Sequence, residues 1–322
     1  MLFRVQGRIF ARENVILARW VHSKVTAKAV DLAHSLQLNN VKPLPHRDTV
    51  PLVWHEFKHS KKFEYKSRQP IVLLHGLFGS LSNYRSVGRR LSHLTSRPIY
   101  GIDLRNHGDS PHAQPFDYET LANDVVKLMK QENWTGATLI GHSMGAKTAM
   151  IVALKLPELV SQLIVVDNAP VAAHLDPQFH NDLVGLAHVQ HLKFEPNISL
   201  SQMLSKARTI LGPYEPDHLV QTFLLGNLKA SATGSNLRIP ALEMLKYDII
   251  RDMGSWPNLH ATYHGPTFIM HAKYSPFVTD TNLQVDFPQY FSNFKLKQYD
   301  CGHWIVSERP EEFVKDVIQC IS

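Results

Sequence analysis

A chain of 322 residues with 44% hydrophobic content can bury one large core, and no run approaches the roughly 18 consecutive apolar residues that a membrane-spanning helix needs. The formal net charge of +6 is concentrated in residues 1–28, which carry six cations and one acid. The remainder is nearly balanced, so a basic nucleic-acid footprint spread over the fold is excluded. Two cysteines, Cys301 and Cys320, are too few for a disulfide framework and suit a reducing compartment.

At the start of the chain, Arg4, Arg8 and Arg12 recur at helical spacing among Leu2, Phe3, Ile9, Phe10 and Ile16, with Glu13 the only nearby acid. This is the pattern of a mitochondrial presequence, expected over residues 1–25, and it predicts a location in the mitochondrial matrix. Residues 26–51, with Pro43, Pro45 and Pro51, read as a linker, and residues 52–322 as one α/β domain.

Within that domain the spacing predicts a first strand over 52–57, then a strand over 71–74, a helix over 83–94, a strand over 99–103 and a helix over 118–132. A strand over 137–140, a helix over 146–156 stopped by Pro157 and a strand over 163–167 follow. Strands alternating with helices predict a mostly parallel sheet covered on both faces, with its site at the carboxyl ends of the strands. Beyond Asp167 the alternation breaks. From 168 to about 264 only amphipathic helical stretches are found, near 181–191, 201–211, 217–227 and 241–253, which predicts a helical cap inserted over the site. The sheet resumes at 267–270 and 294–299, and a helix over 310–320 closes the chain.

The chemistry centres on Leu139-Ile140-Gly141-His142-Ser143-Met144-Gly145-Ala146, a G-x-S-x-G pattern between a strand and a helix. Such a turn needs small residues at Gly141 and Gly145 and leaves Ser143 at the tip, over the helix N-terminus. A serine hydroxyl is protonated at neutral pH and needs a base, itself oriented by a carboxylate. His303, directly beyond the last strand, is the expected base among nineteen histidines. For the carboxylate, Asp167 at a strand end is favoured over Asp280, because residues 271–278 contain no acid. The expected oxyanion donors are the backbone N–H groups of Leu77, in His75-Gly76-Leu77-Phe78-Gly79, and of Met144. The polar run from Asp103 to Ser110 reads as a structural turn. There is no H-E-x-x-H, no cysteine cluster, no P-loop and no G-x-G-x-x-G after a strand, so neither a metal nor a nucleotide cofactor is expected.

With these motifs in order, the chain resembles the α/β-hydrolase superfamily over nearly all of residues 52–320. The pairing of V-V-D-N-A-P with an acid-free Y-S-P-F-V is similar to a narrower group, the mitochondrial hydrolases of animals and fungi together with the yeast ethanol acetyltransferases. The resemblance implies Ser143, Asp167 and His303 as the catalytic set, with acetyl-CoA as a substrate rather than a cofactor. It implies an alcohol O-acetyltransferase making acetate esters, with esterase and thioesterase side activity on small-molecule substrates. The alternatives are a mitochondrial esterase or thioesterase that uses water, and a non-enzymatic interaction protein of the same fold. Oligomeric state is not legible. If residues 1–25 direct import and are removed, N-terminal sequencing of protein from isolated mitochondria will begin near residue 26. An intact Met1 on matrix protein would contradict cleavage, and cytosolic residence would contradict import.

Overall fold

The computed structural model describes residues 35–58, 69–195, 197–229 and 237–321. The expected presequence and the first part of the expected linker lie outside these residues. The chain divides into two units, residues 1–43 and 44–322. In the first, the described residues include a short 3-10 turn, Leu38–Asn40. The second is the α/β body, and among the described residues no helix is long and apolar enough to cross a membrane.

The body is built on a sheet whose described strands are β1 (Val53–Glu56), β2 (Ile71–Leu74), β3 (Ile99–Asp103), β4 (Ala137–His142), β5 (Val160–Val166), β6 (Thr267–Ala272) and β7 (Phe294–Tyr299). Their order is β1-β3-β2-β4-β5-β6-β7, with β1 antiparallel to β3 and every other pair parallel. The central strands carry apolar residues on both faces because helices cover both: every residue of β2 and β4 is buried. At the edges the burial falls, and β7 places Lys295 and Lys297 there, charges that discourage pairing with another chain.

Helices α1 (Arg85–Thr95), α2 (Tyr118–Gln131) and α3 (Met144–Lys155) connect the first strands. The Asp117 carboxylate accepts from the Thr120 N–H and caps α2. Residues 44–51 of the expected linker run along this part of the body. Fully buried Arg105 pairs with Asp124 of α2 at 2.8 Å and donates to the carbonyls of Arg47 and Pro115, while Val50 N–H donates to Asp124.

The expected helical insertion after β5 comprises α4 (Pro177–His191), α5 (Leu200–Leu211), α6 (His218–Leu225), α7 (Ala241–Lys246) and α8 (Ile249–Met253). Caps written in the sequence set three of their starts: Asp176 before Pro177, the Ser199–Gln202 capping box, and Asp217, which accepts from the N–H groups of Leu219 and Val220. The expected single helix over 241–253 is two helices, because Asp248 adopts a left-handed conformation at φ 51° that no continuous helix accommodates. After β6, α9 (Phe287–Tyr290) was not anticipated from periodicity, and neither was α10 (Ile305–Glu308), which precedes α11 (Pro310–Ile321).

Two buried histidines hold the loop after β2 against the turn after β3. His75 Nδ1–H donates to the Gly76 carbonyl, and its Nε2 accepts from Leu104 N–H at 3.0 Å. His107 Nδ1–H donates to the Arg105 carbonyl, and its Nε2 accepts from Phe78 N–H at 3.0 Å. Asp103 adds bonds from Leu81 N–H and Asp109 N–H, so the expected structural turn is a dense backbone-binding knot.

Burial holds His107 well below the ordinary value of 6.5, reinforced by the neighbouring charges of His75 and His112 and opposed by the bond to Arg105. Burial also lowers His75, against the opposing pull of Asp103. A histidine depressed in the folded state takes its proton first in the unfolded state. The stability that it contributes is therefore complete above about 6.5 and is lost as pH falls below that value. His107 can cost up to about 1.4 kcal/mol of stability per pH unit there. Chemical denaturation at pH 7.5 and 5.5 should show this loss, and His107→Gln, which keeps an acceptor for Phe78 N–H but does not titrate, should reduce it.

Candidate active site

Ser143 stands between β4 and α3 at φ 54° and ψ −116°, a strained conformation for a residue with a side chain. The turn is possible because two backbones nearly touch. A Cβ on Gly145 would come within 2.3 Å of the Leu74 carbonyl oxygen, and one on Gly141 within 2.1 Å of the Gly145 carbonyl oxygen. Ser143 N–H donates to the Val166 carbonyl at 3.0 Å, which ties the tip to the next strand. The serine is only 7% exposed, and it faces a cavity of about 700 Å³ that His303 also lines.

Asp167 follows β5 with φ 51°, wholly buried. One carboxylate oxygen accepts from Ala272 N–H at 2.9 Å, and the other lies 2.7 Å from His303 Nδ1. An ionised carboxylate can only accept, so His303 carries its proton on Nδ1 and keeps the Nε2 lone pair available to take another. Asp280, the second sequence candidate, is exposed and does not line the cavity.

The loop carrying His303 is held by groups that sequence reading did not single out. Glu308 accepts from Gly302 N–H at 3.0 Å and from Trp304 N–H at 3.3 Å, so one carboxylate grips the backbone on both sides of His303. His142, the residue before the serine, donates its Nε2–H to the His303 carbonyl at 2.8 Å. Burial, then the charge of His303, pushes His142 down to about 3, so it remains a neutral donor. The only signal for this was its place inside the G-x-S-x-G pattern.

Leu77 lines the cavity with Ser143, and Met144 follows the serine as the first residue of α3. Leu77 N–H has no acceptor among the described residues, and Met144 N–H, the first in α3, has no intrahelical carbonyl to bond. Phe78 N–H, by contrast, is committed to His107, and the Phe78 carbonyl accepts from Asn227 Nδ2 of the helical insertion at 2.7 Å. The arrangement offers a serine over a helix N-terminus, a histidine oriented by a buried carboxylate, and two N–H groups with no acceptor among the described residues. Such a set can deprotonate a hydroxyl and stabilise a developing oxyanion.

Comparison with known proteins gives the family of the fold. The chain is 37% identical over 257 residues to an abhydrolase domain-containing protein of Schizosaccharomyces pombe, covering 79% of this chain and 92% of that one. It is 31% identical over 307 residues to ethanol acetyltransferase 1 of Eremothecium cymbalariae, covering 89% and 85%. Among solved structures, a marine microorganism esterase superposes with a TM-score of 0.71 at 27% identity, covering 84% of this chain and 99% of that one. The model of the α/β-hydrolase fold family matches residues 69–310, and the chain belongs to that family.

Proposed function

We propose that this protein transfers acyl groups through an acyl-Ser143 intermediate, as an alcohol O-acetyltransferase that makes acetate esters from acetyl-CoA and alcohols such as ethanol. The observation that carries the reading is the 2.7 Å bond between His303 and buried Asp167 at a cavity shared with Ser143. In this reading His303 Nε2 takes the Ser143 proton as Oγ attacks the thioester carbonyl, and the Leu77 and Met144 N–H groups receive the oxyanion. Collapse expels the thiolate, which leaves with the proton from His303. An alcohol then gives its proton to His303, its oxygen attacks the acetyl carbon, the bond to Ser143 Oγ breaks, and the proton returns to Oγ. The name of the Eremothecium relative supports the alcohol as acceptor, and the arginine-rich start of the chain supports action in mitochondria. No cofactor takes part, since each proton and bond is accounted for by these groups.

The orienting carboxylate is tested by substitution. Asp167→Asn leaves His303 in the wrong tautomer and should lower turnover about 10⁴-fold, whereas Asp280→Asn should keep most activity. The reverse pattern would overturn the assignment.

The acceptor is tested by product analysis with acetyl-CoA held fixed and ethanol raised. Ethyl acetate should increase at the expense of free acetate, and Ser143→Ala should lose both products together. A yield that stays almost wholly acetate would make water the acceptor and the protein an esterase or thioesterase. Activity surviving in Ser143→Ala would remove the acyl-enzyme itself.

A further inference from the structure

The cavity is far larger than the acetyl group on Ser143 and an ethanol molecule require once the thiol has left. At about 30 Å³ per heavy atom, water's share of liquid volume, the six heavy atoms of ethyl acetate fill about 180 Å³ of the roughly 700 Å³ present. What surrounds the remaining space is largely apolar. Phe179 of α4 and Val220 and Phe223 of α6 form its insertion side, and Leu77, Trp304 and Val306 its body side. The two sides are joined by aromatic contact, with the Phe223 and Trp304 rings 4.4 Å apart and edge-on. Phe179 meets Phe277 edge-on, and Phe277 in turn lies 4.3 Å from the His303 ring, so the apolar wall reaches the reacting centre.

Most of the polar side chains in the same wall already bond the protein. Tyr84 donates to the Leu74 carbonyl, Thr222 to that of His218 and Ser307 to that of Trp304. Asn83 accepts from Ser80 N–H, Asp217 from the first N–H groups of α6, and Glu308 from the backbone around His303. Hydrogen-bonding capacity spent on the backbone is not offered to a polar substrate, whereas alkyl surface needs none. Leu219, 82% exposed on α6, continues this apolar lining out to solvent.

We propose that this cavity seats the alkyl chain of a primary alcohol several carbons longer than ethanol, and that such alcohols are better acceptors than ethanol. The inference rests on the acyl-Ser143 reading and specifies its acceptor. The chemistry is unchanged: the alcohol proton passes to His303, the alcohol oxygen bonds to the acetyl carbon, and Ser143 Oγ leaves and recovers that proton.

The test gives the full-length protein p-nitrophenyl acetate as donor and ethanol, 1-butanol, 1-hexanol or 1-octanol at one fixed concentration. The acetate ester and free acetate are measured by gas chromatography. Each fully buried methylene adds about 0.8 kcal/mol, or roughly fourfold, and hexanol carries four more methylenes than ethanol, so burial of even half of them should raise the ester-to-acetate ratio about tenfold over that for ethanol. Val220→Trp, which fills the cavity from a half-buried position on α6, should lower the hexanol-to-ethanol ratio. A ratio that is flat or highest for ethanol while ester still forms overturns the chain-length inference and leaves acyl transfer standing. An unchanged preference in Val220→Trp overturns the assignment of the chain to this cavity. Release of acetate with no ester from any alcohol overturns this inference and alcohol transfer together.

Discussion

The close approach of α3 to β2 is the constraint on which the rest depends. The backbone at Gly145 packs so tightly on the carbonyls of Leu74 and His75 that a single methyl group there has no room. That contact drives the start of the helix under the end of the sheet, forces Ser143 into its strained turn, and brings the first N–H of α3 beside the loop that carries Leu77. A looser packing would let the serine relax into an ordinary helical conformation, and its hydroxyl would no longer be presented at the tip. The strain persists because β4 is buried throughout and paired with β2 and β5 on its two sides, so the chain has nowhere to yield.

Around this turn the protein uses neutral histidines as two-ended connectors. His75 and His107 each donate from Nδ1 to a carbonyl and accept at Nε2 from a backbone N–H, a pattern that a charged imidazole cannot satisfy. Burial enforces neutrality and the bonds fix the tautomer, so each property depends on the other. His303 works under a different condition. Its Nδ1 meets a buried carboxylate, so the ring can accept a proton without losing its partner. Electrostatic surroundings therefore separate structural histidines from the candidate base, although all are the same residue type.

The insertion after β5 is not a separate layer resting on the body. Asn227 bonds the Phe78 carbonyl, Lys147 of α3 donates to the Ser255 carbonyl beyond α8, and Tyr118 of α2 donates to that of Met253. These bonds tie the helices to the segments that shape the site. Positions on α4 and α6 thereby become walls of the same cavity that Ser143 and His303 line, and a change on the insertion can alter which substrates fit without touching the reacting groups.

By itself the sequence determined the alternation of strands and helices, the turn at Ser143, and His303 beyond the last strand as the expected base, with Asp167 favoured over Asp280 as its partner. Each depends on local periodicity, a tight-turn motif or a place at a strand end, and those are properties of neighbours in the chain. Only the tertiary structure decided that Asp167 and not Asp280 reaches His303, that Glu308 and His142 hold the His303 loop in place, and that residues 44–51 join the body through Arg105 and Asp124. It also decided that residues 241–253 break at Asp248 and that aromatic rings from distant elements converge on one cavity. Apart from the local break at Asp248, these are contacts made through space, between residues from six to more than a hundred positions apart. Their partners are set by how the sheet and insertion pack, and spacing along the chain carries no signal of that.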